Sequence, residues 1–263
     1  NASLVSKDNV YGIAVYQSYR NRNPYDVDGD SFSEIGKLNM NTFGLRAYYR
    51  PTQFSRLNIE YQTTNEFRRG GNKFDLEPFE SDITEQTKHV INSGGLTYDL
   101  FWKEYKHKLS FFASSQHVDR NSYYGAQQDP NAYGKTKDLT FVGGGMYVGN
   151  FDKVLFSPAT FTAGMEYQHN NMHDIMAGYN RDLEQKVRIA SAFFQNEWKM
   201  NDFTLLAGFR LDDHNLIDNL IFSPRVNMLY KPSDAFQGRL TWSTGFRAPQ
   251  AYDEDLHITA VGG

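Results

Sequence analysis

Thr160-Phe161-Thr162-Ala163-Gly164-Met165-Glu166-Tyr167-Gln168 decides how this chain folds. Successive side chains of a strand point to opposite faces, so Phe161, Ala163, Met165 and Tyr167 share one face, and Thr160, Thr162, Gly164, Glu166 and Gln168 share the other. The same two-residue period recurs along the chain. Leu57, Ile59 and Tyr61 alternate with Arg56, Asn58, Glu60 and Gln62. Phe203, Leu205, Ala207, Phe209 and Leu211 alternate with Thr204, Gly208 and Arg210, broken only by Leu206. Phe236, Leu240, Trp242 and Phe246 alternate with Gln237, Arg239, Thr241, Ser243 and Arg247. Further strands centre near Val15, Leu45, Leu96, Phe111, Val142, Phe194 and Val226, which makes eleven.

The connections alternate as well. Tight ones fall at Arg50–Ser55, Trp102–Tyr105, Asn150–Lys153, Lys199–Asp202 and Lys231–Asp234, with the Pro, Asn, Asp and Lys that turns favour. Long polar ones run from about Arg20 to Leu38, Arg68 to Lys88, His117 to Lys137, His169 to Arg181 and Asp212 to Leu220. Keeping every long loop at one end is the pattern of an antiparallel up-and-down barrel of the outer-membrane type, with short periplasmic turns and long external loops. The first and eleventh strands both climb outward, and the stretch after Phe246 opens another external loop. The fold class expected is therefore all-β, a transmembrane β-barrel whose polar face lines a wet lumen.

Composition fits this reading. No run of about eighteen apolar residues exists, so no helix spans a bilayer. A barrel strand shows lipid only alternate residues, so a mean hydropathy of −0.63 does not argue against a membrane. No block of like charge points to nucleic acid. Cysteine is absent, which suits an envelope protein. No signal-peptide pattern opens the chain, and eleven is odd where single-chain bacterial barrels have even counts. The expectation is a partial barrel over residues 1–263.

Thr244-Gly245-Phe246-Arg247-Ala248-Pro249-Gln250-Ala251-Tyr252 resembles the FRAP-type segment of TonB-dependent outer-membrane receptors, with Phe246, Arg247, Ala248 and Pro249 as the motif. Ile221-Phe222-Ser223-Pro224-Arg225-Val226 resembles the strand that precedes it in that family. Glu66-Phe67-Arg68-Arg69-Gly70-Gly71-Asn72, Ser122-Tyr123-Tyr124-Gly125 and Ala132-Tyr133-Gly134 resemble loop segments of Bacteroidetes receptors near the ferric-siderophore and cobalamin branches. The resemblance implies a parent barrel of about 22 strands closed by an N-terminal plug. It implies import of a scarce large ligand (a ferric siderophore or cobalamin first, haem as the alternative) driven by the TonB complex through that plug. It also implies lipid and lipopolysaccharide as surroundings, no enzymatic activity and no required cofactor.

Several clusters carry chemistry. Asp26, Asp28 and Asp30 offer three carboxylates at alternate positions, the oxygen-rich spacing that calcium favours. The EF-hand pattern fails, with Ser31 at the sixth position and Lys37 at the twelfth, so a solvated acidic loop is the competing reading. His169-Asn170-Asn171-Met172-His173 could ligate haem, zinc or copper, but its asparagines read as loop. His257 follows the FRAP-like segment, where haem receptors of the family keep a histidine.

Arg68 and Arg69 form a candidate anion-catching edge, since a guanidinium pairs bidentately with carboxylate or phosphate. A flexible charged loop is the bland alternative. Tyr123, Tyr124 and Tyr133, with Tyr25, Phe74, Phe79 and Tyr179, are candidate ligand contacts or interfacial aromatics. Asp212-Asp213-His214 at a strand end resembles the Asp/His pairs of surface proteases, but it has no second cluster across the barrel, and Asp/His at a strand end is more often turn chemistry. A porin or surface protease would need an even, closed barrel. A soluble module would have to bury Arg46, Glu60, Glu166, Glu197 and Arg239 with partners.

Overall fold

The computed structural model describes residues 1–247. Twelve strands form one antiparallel sheet in strict chain order, each paired with its sequence neighbours. They are β1 (Ala2–Val5), β2 (Tyr11–Arg22), β3 (Ser33–Thr52), β4 (Ser55–Gly71), β5 (Ile83–Trp102) and β6 (His107–Ala126). Then follow β7 (Tyr133–Val154), β8 (Ser157–Met176), β9 (Arg181–Lys199), β10 (Phe203–His214), β11 (Ile221–Ser233) and β12 (Phe236–Ser243). The eleven expected strands are β2 to β12. β1 is the addition: Ala2 pairs with Val15 and Val5 with Gly12. Four residues are too few to show a period, so β1 is set by its partner, and the odd-count argument falls with it.

The register places the two faces as the alternation requires. Arg46 lies opposite Glu60, and Glu60 opposite Gly95, on one face. Leu45, Tyr61 and Gly94 occupy the other. That second face exposes Ile59, Leu96, Phe111, Met165, Leu240 and Trp242 to the surroundings. Large apolar side chains outward and charges inward are the reverse of a soluble sheet, and they fit a lipid-facing wall around a wet lumen.

The apolar band is shorter than the strands. On the lipid face of β8 it runs from Phe161 to Tyr167, after which come His169, Asn171 and His173. On β9 it ends at Ala190, followed by Arg188, Lys186 and Glu184. A tilted strand needs about 9–11 residues to cross the hydrocarbon, whereas β3, β5, β6 and β8 have 20 residues and β7 has 22. The strands therefore overrun the bilayer at the end bearing the longer connections.

This overrun corrects the expected loops. His169–His173 is ladder within β8, paired with Phe141 to Lys137 on β7, not loop. Much of residues 20–38, 68–88 and 117–137 is strand as well. Beyond the membrane both faces are wet, so the hydrophobic period vanishes although the hydrogen-bonded ladder continues. The turn expected at Asn150–Lys153 sits instead at Leu155 and Phe156, after a register shift between Phe151 and Val154.

From the tight β5–β6 turn an aromatic ladder slants across the lipid face toward the outer end of β11. Ring centroids of Trp102 and His107 lie 5.4 Å apart, His107 and Tyr147 6.0 Å, Tyr147 and Phe161 5.9 Å, and Phe161 and Phe194 5.0 Å. Phe194 continues to Phe209 and Phe209 to Phe222, each at 5.8 Å. Such pairs are worth about 0.5–1.5 kcal/mol each. Apart from Ala159, the buried apolar residues (Leu38, Tyr123, Ala132, Met172, Met176 and Val187) lie in the outer halves of the strands or in the loop beyond β6. The packed core sits there, above the bilayer.

Candidate functional site at the outer end of the barrel wall

The outer half of the lumen face carries charges that neutralise one another across strands. Arg120 on β6 donates to Thr136 on β7 at 2.7 Å and reaches Asp174 on β8 at 3.3 Å. Arg181 on β9 closes the group, its Nε 2.7 Å from Asp174. Thr136 also donates to Asp174. Asp174 is 1% exposed, so its charge depends on these partners. One layer deeper, Arg210 on β10 bonds Glu166 at 2.9 Å, Asp212 at 2.7 Å and Ser191 at 2.7 Å. On β4, Arg68 forms a bidentate pair with Glu66, which His89 on β5 approaches to 3.7 Å. Sequence reading does not single out Arg120, Asp174, Arg181 or Arg210 as a site. Their shared parity is visible along each strand, but their partnership needs the register.

The structure splits the candidate pairs. Arg68 and Arg69 are adjacent on a strand and face opposite sides, so they do not form one anion-catching edge. Arg68 is on the lumen side with Glu66. Arg69, 6% exposed, is on the other side, and its guanidinium serves its own loop. It donates to Leu76 O at 2.8 Å, Lys73 O at 3.1 Å and Ser81 Oγ at 2.9 Å, and stacks over Phe74. Tyr123 and Tyr124 divide in the same way. Tyr123 is fully buried, with its hydroxyl on Asp129 O at 2.9 Å and its ring edge-on to Tyr133 at 4.8 Å. Tyr124 faces the lumen beside the Arg120 and Asp174 group. Tyr133 remains 42% exposed. Of these candidates Arg68 and Tyr124 face the lumen, where a ligand passes, while Arg69 and Tyr123 are structural on the opposite face and the exposed Tyr133 shares that face as the partner of Tyr123.

The outer loops are knitted together. The Tyr179 hydroxyl donates to Tyr124 O at 2.7 Å, and Gly178 N donates to Asn131 O at 2.9 Å. In the β4–β5 loop, Asn72 and Asp82 exchange two hydrogen bonds of 2.8 and 3.1 Å, and Lys73 Nζ lies 2.6 Å from Asp82. The Lys73 ammonium, with help from the Asn72 amide, holds the Asp82 carboxyl below the usual carboxylate range. Gly71 opens this loop at φ +106°, and a Cβ there would lie 2.0 Å from Ile83 O, so only glycine fits.

Asp26, Asp28 and Asp30 do converge, and Glu34 joins them, with one carboxylate oxygen from each within 4.8 Å of the others. Each also accepts a local backbone N–H: Gly29 and Ser31 donate to Asp26, Asp30 to Asp28, Phe32 to Asp30, and Val27 to Glu34. The donor set is all oxygen and four-fold acidic, which suits a hard cation, and it is equally a self-capped acidic loop. Asp212 and His214 sit at the end of β10, where Asp212 serves Arg210 and the His214 Nδ1 accepts from Leu216 N. Phe246 and Arg247 follow β12, with the Phe246 ring edge-on to His214 at 5.9 Å. Ala248, Pro249 and His257 lie outside the described residues.

A polar-lined, lipid-faced meander with short turns at one end and overrunning strands at the other is the wall of an outer-membrane barrel. The family described as TonB dependent receptor-like, beta-barrel matches residues 3–257, and the chain belongs to it. No curated protein matches the sequence. Among solved structures, the siderophore receptor PirA from Acinetobacter baumannii is 17% identical, with a TM-score of 0.74 over 94% of this chain and 40% of that one. PirA from Pseudomonas aeruginosa is 16% identical, TM-score 0.72, over 95% and 39%. The ferric enterobactin receptor PfeA from Pseudomonas aeruginosa, in complex with enterobactin, is 14% identical, TM-score 0.68, over 91% and 40%. At these identities the likeness is one of fold, and the chain spans about two fifths of those receptors' lengths.

Proposed function

We propose that this chain is barrel wall from an outer-membrane receptor that imports a ferric siderophore, powered by the TonB complex through a plug seated against the lumen face. The family carries the receptor reading, and the fold likeness to siderophore receptors supports the ligand class. The interior charge layers support the plug. Arg46–Glu60, Arg120–Asp174–Arg181 and Arg210–Glu166 make the lumen face a charged, polar surface of the kind that a polar domain can hydrogen-bond and release. Arg68 and Tyr124 are the ligand contacts proposed at the outer mouth, since both face the lumen. The receptor family is also what supports reading the chain as a transporter wall and not as an enzyme.

Cobalamin is the second reading. It is favoured by the convergence of Asp26, Asp28, Asp30 and Glu34, which we propose as a calcium site that orders the β2–β3 loop. Haem uptake through His257 is a third reading, and a place near Bacteroidetes receptors rests on the loop resemblances alone. The test is titration of the full receptor in detergent with ferric siderophores, cobalamin and haem, with and without calcium. Saturable binding of one ferric siderophore, unaffected by a chelator, supports the first reading. Calcium-dependent cobalamin binding supports the second. Binding of none removes all three.

A further inference from the structure

One row of side chains crosses the lumen face above the apolar band. Glu66 on β4 pairs with His89 on β5, His89 with Arg120 on β6, Arg120 with Thr136 on β7, and Thr136 with Asp174 on β8. An arginine attends the carboxylate at each end: Arg68 grips Glu66 at 2.8 and 2.9 Å, and Arg181 lies 2.7 Å from Asp174. Three guanidinium groups thus face two carboxylates. His89 stands between Glu66 and Arg120. Its Nδ1 is buried, has no hydrogen-bond partner among the described residues and lies 3.7 Å from Glu66 Oε1. The groups around it are few. On β3, Met40 is opposite Glu66 and carries no charge. On β4 stand Glu66 and Arg68, on β5 itself Glu85 four residues further out, and on β6 Arg120 and Tyr124. Burial raises the Tyr124 phenol above its usual value, so it stays neutral. Burial pushes the His89 imidazole down; Glu66 opposes this, and Arg120 and Arg68 reinforce it. Of these side chains only the imidazole ordinarily changes charge between about pH 5 and 8.

We propose that His89 is a specificity-determining residue of the outer mouth: binding of a multiply anionic ligand there takes up one proton on His89, and the mouth holds such a ligand more tightly as pH falls. The inference rests on the reading of Arg68 and Tyr124 as ligand contacts. While His89 is neutral, Arg68 occupies both oxygens of Glu66, and the anion meets a guanidinium whose charge is already matched. A proton on Nδ1 makes it a donor. A shift of about 1 Å then brings it to hydrogen-bond distance of Glu66. Glu66 now serves two cations, and Arg68, whose side chain is 62% exposed, swings its guanidinium to the ligand. The row gains one positive charge, which favours an anion and gives a neutral ligand nothing. Linkage makes the effect reciprocal: whatever factor the proton adds to anion affinity, the bound anion adds to proton affinity. The anion therefore moves the His89 midpoint upward from its depressed value. Affinity is highest below that midpoint and falls to a lower plateau as pH rises through it.

The experiment is an NMR titration of the full receptor in detergent at low salt, with carbon-labelled histidine rings and the His89 signal assigned by its loss in His89→Gln. The probe is inorganic sulfate, a dianion across the whole range from about pH 5 to 8 in which an imidazole titrates. Without sulfate the His89 midpoint should lie below the ordinary histidine value of about 6.5. Saturating sulfate should raise it by about one unit, and sulfate should bind about tenfold more tightly at the acid end than at the alkaline end, the same coupling read twice. His89→Gln should bind sulfate with an affinity independent of pH. In Arg68→Gln, His89 should still titrate but no longer respond to sulfate. His173→Gln, on the opposite face, should change neither readout, and heat-modifiable gel mobility checks that each variant is folded. A His89 midpoint that sulfate does not move, a pH dependence that survives His89→Gln, or sulfate that binds at no pH overturns the proposal. The receptor reading fails separately: a protein that titrates as expected with sulfate but binds no ferric siderophore loses the function and keeps the proton-coupled anion site.

Discussion

At the residue scale, Asp174 and Asp82 show two ways a carboxylate holds the outer end of this sheet. Asp174 is buried and meets Arg120, Thr136 and Arg181 from three other strands. Asp174→Ala leaves two partly buried guanidinium groups without their anion, and should cost about 1–3 kcal/mol locally. Amide exchange in the outer thirds of β7, β8 and β9 should speed up, and unchanged exchange would show that the network does not hold those ends. Asp82 is exposed, and its value is depressed below 3.8 by Lys73 and Asn72. A depressed folded value means that its contribution is complete above 3.8 and is lost as pH falls through the lower folded value. Cleavage of the β4–β5 loop by an acid-active protease should therefore rise as pH drops below the carboxylate range. In Asp82→Asn the same cleavage should be high and nearly independent of pH.

At the element scale, β8 passes from lipid to water along one face. Met165 is 71% exposed and lies within the apolar band, while His173 lies above it. Met165→Arg should destabilise the folded barrel by about 2–4 kcal/mol, the range for arginine near the midplane. His173→Arg, four pairs of the alternation further out, should be nearly neutral. Denaturant titration of the receptor refolded into lipid vesicles separates them, and equal effects would place the membrane boundary wrongly. The aromatic ladder starts at Trp102 beside the β5–β6 turn and climbs across the lipid face to Phe222, near the outer start of β11.

At the scale of the whole molecule, direction is the property to test. The absence of cysteine makes single substitutions clean reporters. Asn121→Cys lies on the lipid face beyond the apolar band, and Lys153→Cys lies next to a tight turn. A membrane-impermeant maleimide added to intact cells should label the first and spare the second. The reverse result would invert the barrel. The meander leaves one edge of β1 and one of β12 without a partner among the described residues. Unpaired edges are hazardous in any sheet, and in a receptor of this family neighbouring wall strands would cover them.

The sequence by itself determined the strand period, the face of every residue within the bilayer and the sidedness of the connections. Lipid on one side and water on the other impress a two-residue alternation that needs no partner to be read. Residues 160–168 carry it without interruption. Only the tertiary structure decided what happens above the membrane. There both faces are wet, the alternation fades, and His169–His173 reads as loop although it is ladder. Register, too, is a property of pairs: it set β1 against β2, put Arg68 and Arg69 to different uses, and brought Asp174 to Arg120 across 54 residues of chain. A strand announces which way its side chains point, but which side chain waits on the next strand is decided only when the hydrogen bonds form.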